Sequence, residues 1–139
     1  MSISSRARKA LAAAATAVTA VAALMATAAP ANAAIHRCTI SGDWTNCTTV
    51  TGIDPGSWLQ VRTGPGYGYG PINLAYSRLY NGDEVGLTCW RTGDGAYDNP
   101  NYRYWMAVDV GNSNWGYVND WYLNTGSPEV WKQHIRQCG

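Results

Sequence analysis

The sequence predicts a small all-β barrel of about five short strands, with a disulfide-stapled hairpin before it and a short helix after it. Three observations predict this. Short runs of period-two hydrophobic alternation are separated by glycine-rich turns. The aromatic residues are seven Trp and nine Tyr with no Phe, rings that bury an apolar body while keeping a polar atom that wants a partner or water. Four cysteines, an even number, lie in a short segment behind a leader-like start, as in small exported domains closed by two bridges.

The start of the chain has the layout of a secretory signal peptide. Arg6, Arg8 and Lys9 precede an alanine-rich apolar run, and Ala31-Asn32-Ala33 supplies a small-x-small cleavage pattern. There is no twin-arginine pair, which points to the general secretory route. The run is weakly apolar and ends in a cleavage pattern, so a membrane anchor is the poorer reading. Residues 1–33 are therefore expected to be removed. Three of the ten basic residues lie there, leaving seven against nine acidic ones and no basic run. A nucleic-acid or anionic-membrane partner is unsupported by that balance.

Residues 34–51 form the expected disulfide segment. Cys38 and Cys47 flank "TISGDWTN", with Gly42-Asp43 suited to a hairpin tip. Three pairings of four cysteines are possible; proximity favours Cys38 with Cys47 and leaves Cys89 with Cys138. Residues 52–125 form the expected barrel. "WLQVR" (58–62) places Leu59 and Val61 on one face and Gln60 and Arg62 on the other. Asn81-Gly82 makes a turn ahead of a strand with Val85, Leu87 and Cys89 on one face. "RYWMAVDV" (103–110) alternates Tyr104, Met106, Val108 and Val110 against Trp105, Ala107 and Asp109, and "GNSN" (111–114) closes a hairpin into "WGYVNDWYL". Two long loops interrupt this pattern, Gly64 to Pro71 and Arg91 to Tyr102. In the tail, 126–139, Ser127 suits an N-cap, Pro128 the first helical position and Glu129 the first turn. Trp131, Ile135 and Cys138 then share a helical stripe, and a bridge to Cys89 would clamp that stripe over the barrel.

Several chemistries fit poorly. His36-x-Cys38 and His134-x-x-x-Cys138 lack the paired-cysteine knuckle of a zinc site, so no metal and no cofactor is expected. "GPGYGYG" lacks the lysine and the following helix of a phosphate loop. Catalysis by a carboxylate pair needs one desolvated acid on a cleft, whereas Asp83, Glu84, Asp94, Asp98 and Asp120 fall in turns and polar loops. An even cysteine count argues against a free thiol nucleophile.

Four motifs in order resemble the bacterial SH3-like domain family. These are "LQVRTGPG" (59–66), "GDEVGL" (82–87), "WMAV" (105–108) and "GYVNDWYL" (116–123), together spanning about residues 52–124. The disulfide segment and the tail are additions to that pattern, and the signalling type of the fold, with its Ala-Leu-Tyr-Asp-Tyr element, is not matched. The resemblance implies a compact β-barrel and, for some members, binding to peptidoglycan peptides. On that basis the chain is expected to be a secreted, monomeric, non-catalytic module that recognises cell-wall peptide or glycan. Tyr67, Tyr69, Trp90, Tyr97 and Trp121 would supply ring faces, with Arg62, Asp94 and Asp120 orienting a ligand by hydrogen bonds. The alternatives are a factor or inhibitor docking on another exported protein, and, more remotely, a small hydrolase.

Overall fold

A computed structural model describes residues 34–139; the leader expectation for residues 1–33 lies outside them. Among the described residues seven strands, all paired antiparallel, make two sheets. β1 (His36–Ile40), β2 (Asp43–Thr49), β5 (Glu84–Thr92), β6 (Tyr104–Gly111) and β7 (Asn114–Asn119) form a five-stranded sheet in the order β1-β2-β5-β6-β7, and β3 (Leu59–Gln60) pairs with β4 (Arg78–Leu79). The five-stranded sheet is not closed: β1 and β7 are its edges. The expected barrel is thus an open sheet with a short ribbon beside it. The link is local, with the Arg62 amide donating to the Tyr117 carbonyl at 3.0 Å and the Tyr117 amide returning to the Arg62 carbonyl at 2.8 Å.

The N-terminal segment is part of the main sheet rather than an appendage, because β2 pairs with β5 from Thr49↔Glu84 to Asn46↔Leu87. Its turn is carried by Ser41 and Gly42, both at positive φ (52° and 83°), the pair of conformations that matches the twist of a two-residue hairpin. The tip therefore lies one residue earlier than Gly42-Asp43. Cys38 and Cys47 are bonded across this hairpin, and Cys89 is bonded to Cys138, with Cα separations of 5.9 and 5.0 Å.

β5 holds the largest departure from simple alternation. The register with β6 slips between Leu87↔Val108 and Cys89↔Ala107, a bulge at Thr88. One extra residue inverts the faces beyond it. Val85 and Leu87 consequently join the main core with Met106, Val108 and Val118, while Cys89 joins a second buried cluster with Trp105, Ala107 and Tyr117. β6 is therefore buried on both faces through Trp105, Met106, Ala107 and Val108.

The tail folds shorter than a full helix. α1 (Pro128–Trp131) makes one turn, with the Ser127 carbonyl accepting from the Val130 and Trp131 amides at 3.0 and 3.1 Å, but the Ser127 hydroxyl makes no cap. β2 covers the outer edge of β5 only as far as Leu87, so the rest of that edge has unpaired backbone groups. Residues 136–138 fill it: the Trp90 amide donates to the Arg136 carbonyl at 3.0 Å and the Cys138 amide to the Trp90 carbonyl at 2.9 Å. The predicted stripe holds nonetheless, with Trp131 and Ile135 fully buried in the main core and Cys138 packed on the second cluster.

Candidate functional site

A cleft of about 270 Å³ opens where β3 and the two long loops meet over the second buried cluster. Trp58, Gln60 and Arg62 reach it from the β3 segment, the face opposite Leu59 and Val61, which are buried. Tyr67 enters from the first loop, Tyr97 and Asp98 from the second, and Trp105 and Asn119 from β6 and β7.

Close approach of the two loops sets the geometry. The Asp94 carboxylate accepts the Tyr67 amide at 2.8 Å, and the Asp94 carbonyl accepts the Trp105 indole N–H at 2.7 Å and the Asn119 side-chain amide at 3.4 Å. Gly93 lies so near the Pro65 carbonyl that any Cβ there would collide with backbone. Gly64 likewise has the Tyr69 ring where a Cβ would stand. Gly64 and Gly66 of "TGPGYGYG" thus serve packing of the loop on itself and on its neighbour, the Asp94 carboxylate standing where a Cβ of Gly66 would be, whereas Gly68 and Gly70 face open space. Asn119 also donates to the Tyr102 carbonyl at 3.1 Å and accepts the Trp121 amide at 2.9 Å, fixing the start of the Asp120–Tyr122 turn.

The two loop tyrosines have different roles. Tyr67 is half-buried, edge-on to Trp105 at 5.3 Å between centroids, with Tyr97 on it at 4.4 Å. Burial foremost pushes its phenol pKa up, against a weaker opposing pull from the Tyr97 backbone. Its buried hydroxyl stands near that backbone but outside hydrogen-bond geometry. Tyr69 is half exposed and not part of the cleft lining. Arg62 Nη1 donates to the Tyr67 and Tyr69 carbonyls at 3.3 and 2.9 Å, and its guanidinium lies 5.3 Å from the Tyr67 ring. Tyr97 is 76% exposed and Trp58 42%, so both present ring area to solvent. The Tyr122 hydroxyl donates to Asp98 at 2.6 Å; burial, then this bond, raises its pKa above the usual phenol range.

Of the residues expected at the site, Arg62, Tyr67 and Tyr97 line one cleft and Asp94 braces it. Four others do not line it: Tyr69, described above, and three that lie elsewhere. Trp90, past the bulge, faces the main core and packs edge-on against Tyr104 and Trp131 at 5.6 and 5.8 Å, with the Lys132 ammonium 4.8 Å above it. Trp121 packs on Tyr102 at 5.3 Å. Asp120 is 2% exposed and accepts hydrogen bonds from the hydroxyls of Tyr102 and Thr125 at 2.5 and 2.6 Å, so it is a core group and cannot orient a ligand. Burial pushes its pKa up to about 6, although Thr125, Tyr102 and the nearby Trp131 indole favour the charged form. Tyr102 is raised still further, by its own burial and then by the Asp120 charge.

Trp58, Gln60, Asp98 and Asn119 line the cleft but were not singled out by the sequence. For Gln60 the signal was present: it shares the non-core face of "WLQVR" with Arg62. Among the described residues the one group with metal-like spacing is Cys38, Cys47 and Glu84, and both of its sulfurs are in the bridge. No protein-family model, curated protein or solved structure matches the chain.

Proposed function

We propose that this protein is an exported, non-catalytic binding module of SH3-like descent whose cleft recognises cell-wall peptide or glycan. The carrying observation is a cleft walled by exposed ring surface, Tyr97 and Trp58, over a braced polar floor. Rigid aromatic faces beside a few fixed polar groups suit ligands with flat apolar patches and many hydrogen-bonding atoms. The two bridges fit an oxidising compartment. Among the described residues no helix is long and apolar enough to cross a membrane. The lining carboxylates Asp54 and Asp98 are both exposed, which supports binding rather than acid–base chemistry. The SH3-like reading rests on the order of the four motifs and on the β3–β4 ribbon docking beside the sheet.

The test is co-sedimentation of the purified, fully bridged protein with insoluble peptidoglycan. Saturable binding is expected, weakened at least about tenfold by Tyr97→Ala, because losing a stacked ring costs about 1.5 kcal/mol or more. Stability in that variant should fall by only about 0.5–1.5 kcal/mol, the worth of the ring's pairing with Tyr67, leaving the fold intact. No binding to any wall preparation overturns the proposal. A second reading, docking on another exported protein, draws on Trp44 and Trp115, 65% and 61% exposed and outside the cleft. Retention of a defined exported partner, lost on Trp115→Ala, would support that reading.

A further inference from the structure

The hydrogen-bonding groups left open in the cleft are unequal in kind. Arg62 is turned inward onto two carbonyls and the Tyr67 ring. Asn119 directs its amide N–H groups at the Asp94 and Tyr102 carbonyls, and Gln60 donates to the Ser77 carbonyl at 2.9 Å. The Trp105 indole N–H is likewise engaged. The acceptors are open by comparison. Asp54, exposed, makes no side-chain hydrogen bond or ion pair among the described residues, and Asp98 uses one oxygen, Oδ2, for the Tyr122 hydroxyl. Of the cleft's charged groups, therefore, it is the carboxylates that keep open atoms for a ligand, beside the neutral donors of Ser57, Trp58 and Tyr97.

The rings add to this bias. Four basic residues of this chain lie over aromatic faces: Arg37 on Trp44, Arg62 on Tyr67, Arg78 on Trp58, and Lys132 on Trp90 and Tyr104. Tyr97, the most exposed large ring of the cleft, has no cation of the protein over it among the described residues. An open tyrosine face in one cleft with two carboxylates that keep free oxygens is a seat for an ammonium group, which gains ring attraction and charge-assisted hydrogen bonds together.

We infer that the cleft selects its ligand through a primary amine, and that within the cell-wall reading on which this rests the amine belongs to the side chain of a diamino acid in the wall peptide. The amine is held by Asp54 and Asp98 under Tyr97, and the glycan contributes contact area without setting the choice.

The experiment compares native insoluble peptidoglycan with the same material after acetylation of its free amines, using the wild-type protein and an Asp54→Asn/Asp98→Asn variant. Both substitutions are at exposed positions, and asparagine at 98 retains an oxygen for the Tyr122 hydroxyl. Acetylation is expected to weaken wild-type binding roughly ten- to a hundredfold, the worth of one charge-assisted hydrogen bond. The double variant should bind native wall with a similar loss and should no longer distinguish the two materials. Equal wild-type binding to native and acetylated wall overturns the amine inference while leaving the wall-binding proposal in place. A double variant that still discriminates as wild type does overturns the assignment to these carboxylates. No binding to native wall removes both proposals.

Discussion

Asp120→Asn offers a direct reading of the buried carboxylate. Its pKa rises from an ordinary 3.8 in the unfolded chain to about 6 in the fold, burial being the main cause. A carboxyl that binds its proton more tightly when folded stabilises the fold when protonated. That contribution is fully present below the unfolded pKa and is lost as pH rises through the folded one. The interval of about two pH units corresponds to about 3 kcal/mol, since each unit is worth 1.36 kcal/mol. Roughly 2 kcal/mol of it should be present at pH 4 and almost none at pH 7. Asparagine has nearly the same shape, leaves an acceptor for one hydroxyl and presents N–H to the other, whose oxygen can accept. Urea unfolding of wild type and variant from pH 4 to pH 7 should therefore show the variant gaining about 2 kcal/mol on the wild type as pH rises. The difference cancels the titration of carboxylates common to both chains. Two curves that stay parallel within about 0.5 kcal/mol would refute the claim that burial dominates over the Thr125 and Tyr102 hydrogen bonds.

Further outcomes follow from the same contacts. Replacing Cys89 and Cys138 by alanine should cost about 4 kcal/mol against about 2.6 kcal/mol for the Cys38–Cys47 pair, because the bridges close loops of 49 and 9 residues; denaturant titrations that rank the pairs the other way would contradict a chain-entropy origin. Gly93→Ala should cost about 1–3 kcal/mol and weaken wall binding, because the clash with the Pro65 carbonyl separates the two loops; unchanged unfolding and binding would mean the loops tolerate separation. Trp121→Ala should leave wall binding unchanged within twofold in the co-sedimentation assay, since its ring packs on Tyr102 and does not line the cleft.

The sequence by itself indicated a β-rich fold of hairpins and the buried stripe of the tail, and it favoured, among three possible pairings, the two bridges that the structure holds. It also separated Leu59 and Val61 from Gln60 and Arg62, because a period of two assigns faces for as long as register is unbroken. Tertiary structure decided the rest. The bulge at Thr88 inverts that assignment, sending Cys89 to the cluster under the cleft and Trp90 to the opposite core, and nothing local in "GLTCW" marks it. Asp120 reads as a loop acid, yet Tyr102 and Thr125 close over it. The cleft exists because Asp94 and Gly93 approach Tyr67 and Pro65 across more than twenty residues of chain. Such contacts follow from how the loops pack once the sheet has formed. Local pattern can name their residues but not their neighbours.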